Sequence, residues 1–149
     1  MPNVWAVMKM VLEDARQILE QYKEKLGERL LVEALILLGS RARGDNAADS
    51  DFDVAVVSEA FRRLSPYERR ILLLETWSFH HPVDVHGFTP DELLALDRPL
   101  LWEAVHDGIA VVDTGVFARA QRRLCDMMSS GELERLPGGW RRGRAPGAP

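Results

Sequence analysis

Two short apolar runs and the residues between them limit what this chain can become. Leu35-Ile36-Leu37-Leu38 ends at Gly39-Ser40, ten residues follow, and Asp51-Phe52-Asp53 then opens Val54-Ala55-Val56-Val57. A four-residue apolar run closed by glycine reads as a buried strand, and the β-branched run behind the two aspartates reads as a second. Glycine at a strand end lets a ligand approach the main chain closely. Ser40 adds a hydroxyl and a backbone N–H for a phosphate. With Asp51 and Asp53 both at the head of a strand, their carboxylates leave one face about 7 Å apart along the backbone, and Phe52 points the other way, into the core.

Each piece alone has an ordinary explanation. Asn46-Ala47-Ala48-Asp49-Ser50 is rich in turn formers, and Gly39-Ser40-Arg41-Ala42-Arg43-Gly44 suits a plain strand-to-helix turn. The combination is more specific, because Val83-Asp84-Val85 is a third strand-like segment with an acid between apolar neighbours. Paired beside the first two strands, it brings a third carboxylate to the same place. Two like charges about 5 Å apart at an effective dielectric of about 20 repel by roughly 3 kcal/mol, a large share of a typical net stability of about 5–15 kcal/mol. Such a cluster needs raised carboxylate pKa values or a bound cation. Carboxylate oxygens suit hard Mg²⁺, with Mn²⁺ the alternative, and two such ions at a phosphoryl centre are the matching chemistry.

Other residues near the motif admit two readings. Arg41 and Arg43 are placed to grip triphosphate oxygens in the bidentate manner of guanidinium, or to pair with Asp45 and Asp49. Ser50 either caps a turn or touches phosphate. His80, His81 and His86 match no common zinc spacing, and no cysteine lies near them; the clustering reads as chance, although His86 stands two residues past Asp84 and shares its face. No G-x-x-x-x-G-K-[ST] and no G-x-G-x-x-G occurs, which removes the P-loop and dinucleotide-binding alternatives.

Along the chain, Val4, Val7, Met8, Val11, Leu12, Ala15, Ile18, Leu19, Tyr22 and Leu26 recur at helical spacing and predict an amphipathic helix from about residue 3 to 26, stopped by Gly27. A first strand is expected over 30–38, a short helix from about Arg41, and a second strand over 51–57. Ser65-Pro66-Tyr67-Glu68 and Thr89-Pro90-Asp91-Glu92 are two capping boxes with proline at the first helical position; they start helices expected to end near Phe79 and Leu96. Strands are expected over 83–87 and 109–112, with helices over 99–107 and 116–128. This alternation predicts an α/β (α+β) domain: a small mixed sheet covered by helices, the carboxylates on one face.

At 149 residues the chain supports one domain with a substantial core, placed here over 1–130. Residues 131–149, with Arg135, Arg141, Arg142 and Arg144 among glycines and prolines, read as a disordered, solvated tail. A net charge of −4 argues against a dedicated nucleic-acid binder. The single cysteine, Cys125, excludes an intrachain disulfide and suggests a reducing compartment and a semi-buried packing role. With no basic n-region and no uninterrupted apolar span, the chain reads as cytoplasmic and free of membrane segments.

Gly39-Ser40 followed by Asp51-Phe52-Asp53 resembles the G-S-x10-D-x-D signature of the DNA polymerase beta superfamily of nucleotidyltransferases, and Asp84 fits that superfamily's later single aspartate. The chain is most similar to the minimal nucleotidyltransferases, often encoded beside a small helical HEPN-domain protein. Phe52 stands where a smaller aliphatic residue is common, and leaves the carboxylates in place. The resemblance implies a polymerase-beta-like fold and Mg²⁺-dependent transfer of a nucleoside monophosphate, AMP from ATP, to a hydroxyl. It implies that Asp51, Asp53 and Asp84 hold the metals and perform catalysis, and that Gly39, Ser40, Arg41, Arg43 and Ser50 hold the nucleotide. It further implies that the acceptor is a tyrosine of a HEPN-type toxin, making the chain an antitoxin. The alternative is a non-catalytic, nucleotide-binding module that neutralises its partner by docking. Homo-oligomerisation is left open.

Overall fold

The structure, a computed structural model, describes residues 4–44 and 51–143, with side chains from Asp14 onward. In chain order the elements are α1 (Val4–Gly27), β1 (Ala34–Leu38), α2 (Gly39–Arg43), β2 (Phe52–Val57), a 3₁₀ turn (Glu59–Arg63), α3 (Pro66–Thr76), β3 (Val83–Phe88), α4 (Pro90–Ala95), α5 (Pro99–Asp107), β4 (Ile109–Asp113), α6 (Val116–Ser129), β5 (Leu133–Leu136) and β6 (Gly139–Arg142). Four strands form a mixed sheet in the order β3-β2-β1-β4. β1 runs antiparallel to both β2 and β4, while β2 and β3 are parallel.

The continuous apolar character of β1 and β2 follows from helices lying on both faces of the sheet. Ile36, Leu38, Ala55 and Val57 pack with Leu101, Trp102 and Val105 of α5 and Phe117, Ala120 and Leu124 of α6. Leu35, Leu37, Phe52, Val54 and Val56 pack on the opposite side with Leu19, Tyr22 and Leu26 of α1 and Leu73 of α3. Phe52 is fully buried there, as its position between two aspartates predicts. Both capping boxes form, Ser65 with Glu68 and Thr89 with Glu92. α3 stops at Thr76, short of the expected Phe79, because Trp77 leaves the helix to pack its ring against Tyr22 at 4.9 Å and Phe52 at 5.4 Å. Its indole N–H then donates to the His81 carbonyl at 2.8 Å.

Two expectations are corrected here. The stretch after residue 130 is not disordered through residue 142: β5 and β6 pair as an antiparallel hairpin across Pro137-Gly138. Leu133 is buried in the α5/α6 core and Trp140 packs on it, so the segment has an apolar anchor that its arginines and glycines obscure. Arg135 and Arg141 are paired rather than merely solvated, with Glu103 and Asp107 in the first case and Glu134 in the second. Arg144 lies outside the described residues. Cys125 is exposed, on the outer face of α6, and has no packing role. No helix among the described residues is long and apolar enough to cross a membrane.

Arg69 ties the crossover between β2 and β3 together. Its buried guanidinium donates to the carbonyls of Phe61 at 3.0 Å, Leu64 at 3.1 Å and Gly87 at 3.2 Å. It also meets both Glu92 oxygens at 2.9 Å. Replacing this side chain by an isosteric apolar one strands three carbonyls and a carboxylate at once. Arg69→Met is expected to lower unfolding stability by about 3 kcal/mol, read from the midpoint of urea denaturation against the unmodified chain.

Candidate active site

The sheet register builds the site. Asp53 of β2 stands opposite Leu38 of β1 on one side and Asp84 of β3 on the other, so all three side chains leave the same face. That face is the one covered by α5 and α6 farther along the strands, but at this end the carboxylates emerge beyond the cover: Asp53 is half-buried and Asp84 exposed. His86, two residues along β3, shares the face. Its Nε2 lies 3.1 Å from Asp53 Oδ1 and 3.4 Å from Asp84 Oδ2. One ligand atom from each of Asp53, Asp84 and His86 lies within 4.8 Å of the others.

Electrostatics explain the arrangement. The hydrogen bond to Asp53 raises the pKa of His86 above its ordinary value, against the opposing pull of burial and with help from the charge of Asp84. A protonated imidazole thus partly neutralises two adjacent carboxylates. The same donors suit a divalent cation, since converging carboxylate oxygens bind hard ions and an imidazole nitrogen is compatible with Mn²⁺.

The remaining motif residues divide. Gly39 closes β1 with φ +67°, a left-handed conformation that favours glycine, and a Cβ built there would lie 3.5 Å from Asp53 Oδ2. The main chain of the Gly39-Ser40 turn is therefore held beside the Asp53 carboxylate. Ser40, half-buried, sits in the first turn of α2. Arg43 lines a cavity of about 400 Å³ together with Gly39 and Asp53. Arg41 does not: it is buried with its guanidinium 4.1 Å above the Phe52 ring, on the α1 side of the sheet. Burial lowers its pKa, and the charge of Asp51 works against that shift. Asp51 is exposed and precedes β2, which begins at Phe52, so it falls outside the strand expected to hold it. Among the described residues Asp51 does not join the Asp53–Asp84–His86 cluster. Ser50 lies outside the described residues.

His86 is the member that motif reading passed over. The available signal was strand alternation, which puts it on the face of Asp84. His81 instead packs its ring 5.2 Å from Phe52, away from the carboxylates. A second cavity, of about 390 Å³, opens on the β3 side of the cluster, lined by His86, Tyr67, Arg70 and Arg98. Leu100 borders both cavities; of the cluster, Asp53 lines the first and His86 the second.

Comparison with known proteins agrees with this geometry. The nucleotidyltransferase domain family matches residues 16–103, which span β1, β2 and β3 and the whole cluster. No curated protein matches the chain. Among solved structures, a toxin–antitoxin structure with AMP-PNP is similar over 74% of this chain and 83% of its own, at 19% identity and a TM-score of 0.53. A provisionally assigned nucleotidyltransferase from Sulfolobus solfataricus is similar over 74% of this chain and 86% of its own, at 20% identity and a TM-score of 0.49.

The raised His86 pKa has a direction in pH. Its contribution to folding is complete below the ordinary value of 6.5 and is lost as pH rises through the higher folded-state value. In metal-free protein, imidazole ¹H–¹⁵N spectra are expected to place the His86 transition above that of an unfolded histidine. Asp53→Asn is expected to move it down. A His86 midpoint unmoved by that substitution contradicts the assigned hydrogen bond.

Proposed function

Because the chain belongs to the nucleotidyltransferase domain family, we propose that it moves AMP from ATP to a hydroxyl of a partner protein, a tyrosine of a HEPN-type toxin, and serves as that toxin's antitoxin. The observation that carries the transferase reading is the row Leu38, Asp53, Asp84, with the left-handed Gly39 beside Asp53. It sets a bare main-chain turn and a convergent carboxylate pair at one strand end, with a cavity beside Gly39 and Asp53. The protein acceptor is supported by the motif's resemblance to minimal nucleotidyltransferases and by a fold shared with the toxin–antitoxin structure.

Asp53 and Asp84 would hold Mg²⁺; Asp51, exposed ahead of β2 and outside their cluster, would have to turn toward Asp53 to hold a second ion. Bound there, the metal supplies positive charge that offsets the repulsion between carboxylates and phosphate oxygens. The turn at Gly39-Ser40 and the Arg43 guanidinium take the β- and γ-phosphates in the first cavity. The acceptor hydroxyl approaches the exposed Asp84, and Asp84 accepts its proton. The bond from acceptor oxygen to the α-phosphorus forms as the bond from that phosphorus to the β-bridging oxygen breaks, and pyrophosphate leaves. His86 keeps Asp53 oriented by its hydrogen bond. Arg41, packed on Phe52, fixes α2 against the sheet. The outer face of α6 carries Arg119, Arg122 and Arg123 rather than an apolar stripe, which gives no support to docking through that helix alone.

Calorimetric titration with ATP is expected to show binding that needs Mg²⁺, because phosphates and carboxylates repel without it; equal affinity in EDTA refutes the metal assignment. Asp53→Asn is expected to slow transfer about a thousandfold, the loss of several kcal/mol of charge stabilisation. Melting should move by no more than about 4 °C, since relief of repulsion offsets the lost bond to His86. Labelling a co-encoded helical protein with radioactive ATP tests the acceptor. A partner that binds tightly yet never gains the mass of AMP replaces catalysis with docking.

A further inference from the structure

We infer that the C-terminal hairpin completes the nucleotide site, with Glu103 of α5 taking the ribose hydroxyls while Gly39 and Arg43 take the phosphates. This refines the nucleotide site proposed above and stands only if that site binds ATP. The hairpin lies beyond residues 16–103, the span matched by the family.

The first cavity has two chemically different ends. At one end are Gly39, Arg43 and Asp53; at the other are Glu103, Asp107 and Arg135, with the hairpin's Pro137-Gly138-Gly139 turn as outer wall. A volume of about 400 Å³ falls within the roughly 300–1,000 Å³ of small-molecule sites. The outer end sets two carboxylates against one guanidinium, which is paired with both. Carboxylates only accept hydrogen bonds and repel phosphate, so the surplus carboxylate favours a neutral group with donors at this end over a phosphate.

The outer carboxylates are also held in place. Arg135 donates to Glu103 at 2.7 Å and to Asp107 at 3.3 Å. The Trp140 indole N–H donates to Glu103 at 2.9 Å, on the same Oε1 that Arg135 uses. Both bonds come from the hairpin and fall on Oε1, which sets the plane of the Glu103 carboxylate. Trp140 is itself seated against Trp102 at 6.1 Å and His106 at 5.2 Å. At the turn, a Cβ built on Gly138 or Gly139 would meet nothing within 4 Å, so bare backbone borders open space where the nucleoside would lie.

The test is calorimetric titration of the full chain with Mg²⁺ and three ligands: ATP, 2′,3′-dideoxy-ATP and tripolyphosphate. ATP is expected to bind at least about tenfold more tightly than the dideoxy analogue. Glu103→Gln, which keeps an acceptor oxygen for Arg135 and Trp140, is expected to bring ATP down toward the level of the dideoxy compound while leaving the affinities for that compound and tripolyphosphate unchanged. Gly138→Leu, where the added side chain meets no protein atom at its Cβ, is expected to weaken both nucleotides and spare tripolyphosphate. Equal binding of ATP and the dideoxy analogue overturns the inference, as does a Glu103→Gln variant that weakens all three ligands alike. Tripolyphosphate bound as tightly as ATP overturns it while leaving the phosphate clamp intact. No binding of ATP by the unmodified chain overturns the nucleotide site itself.

Discussion

The pairing of Asp53 with Asp84 across two parallel strands is the constraint on which the rest depends. Packing two carboxylates side by side is unfavourable in isolation, and the fold imposes it by registering Phe52 with Val83 and Val54 with Val85 on either side. Those apolar partners are buried or half-buried and lock the strands. The aspartates have no alternative but to meet. His86 sits where a cation would relieve them, and its imidazole, when protonated, does so in part.

Everything around that pair keeps the strand ends in line. Arg69 fastens the 3₁₀ turn, α3 and the start of α4 to the main chain of β3. Tyr22 reaches from α1 to the Leu73 carbonyl at 2.6 Å and holds α3 against the same layer. The hairpin works on the other flank, through Trp140 and Arg135 on α5. The site is thus braced from both ends of its chain of strands, and its floor consists of residues that carry no chemistry.

Much of this was legible in the sequence, for identifiable reasons. The strands at 34–38 and 52–57 announce themselves because burial on both faces demands unbroken apolar residues, and α3 and α4 because a capping box with an N1 proline is a local signal that needs no tertiary context. Asp84 was found because a lone acid inside a strand must face something. The hairpin was missed because its order comes from Leu133 and Trp140 meeting α5 and α6, a contact that four arginines hide in any local window. His86 was undervalued because histidine spacing was tested against zinc sites rather than against its neighbour across β2. Asp51 was placed one residue inside a strand that begins at Phe52, a boundary set by where the pairing with Val83 starts.

The crossover from β2 to β3 has a consequence for how the molecule is made. β1 and β2 are antiparallel and close in sequence, whereas the β2–β3 pair can form only after the 3₁₀ turn and α3 have looped back over the sheet. Parallel pairing of this sort is slow, since the loop must close before its contacts repay the lost entropy. During synthesis from the N-terminus, the glycine turn beside Asp53 therefore takes shape before Asp84 arrives, and the hairpin is added last. A nascent or partly unfolded chain holds half of the carboxylate pair and none of the outer wall. On the proposed metal assignment, competence to bind the ion is acquired late and doubles as a report that the β2–β3 pair has closed.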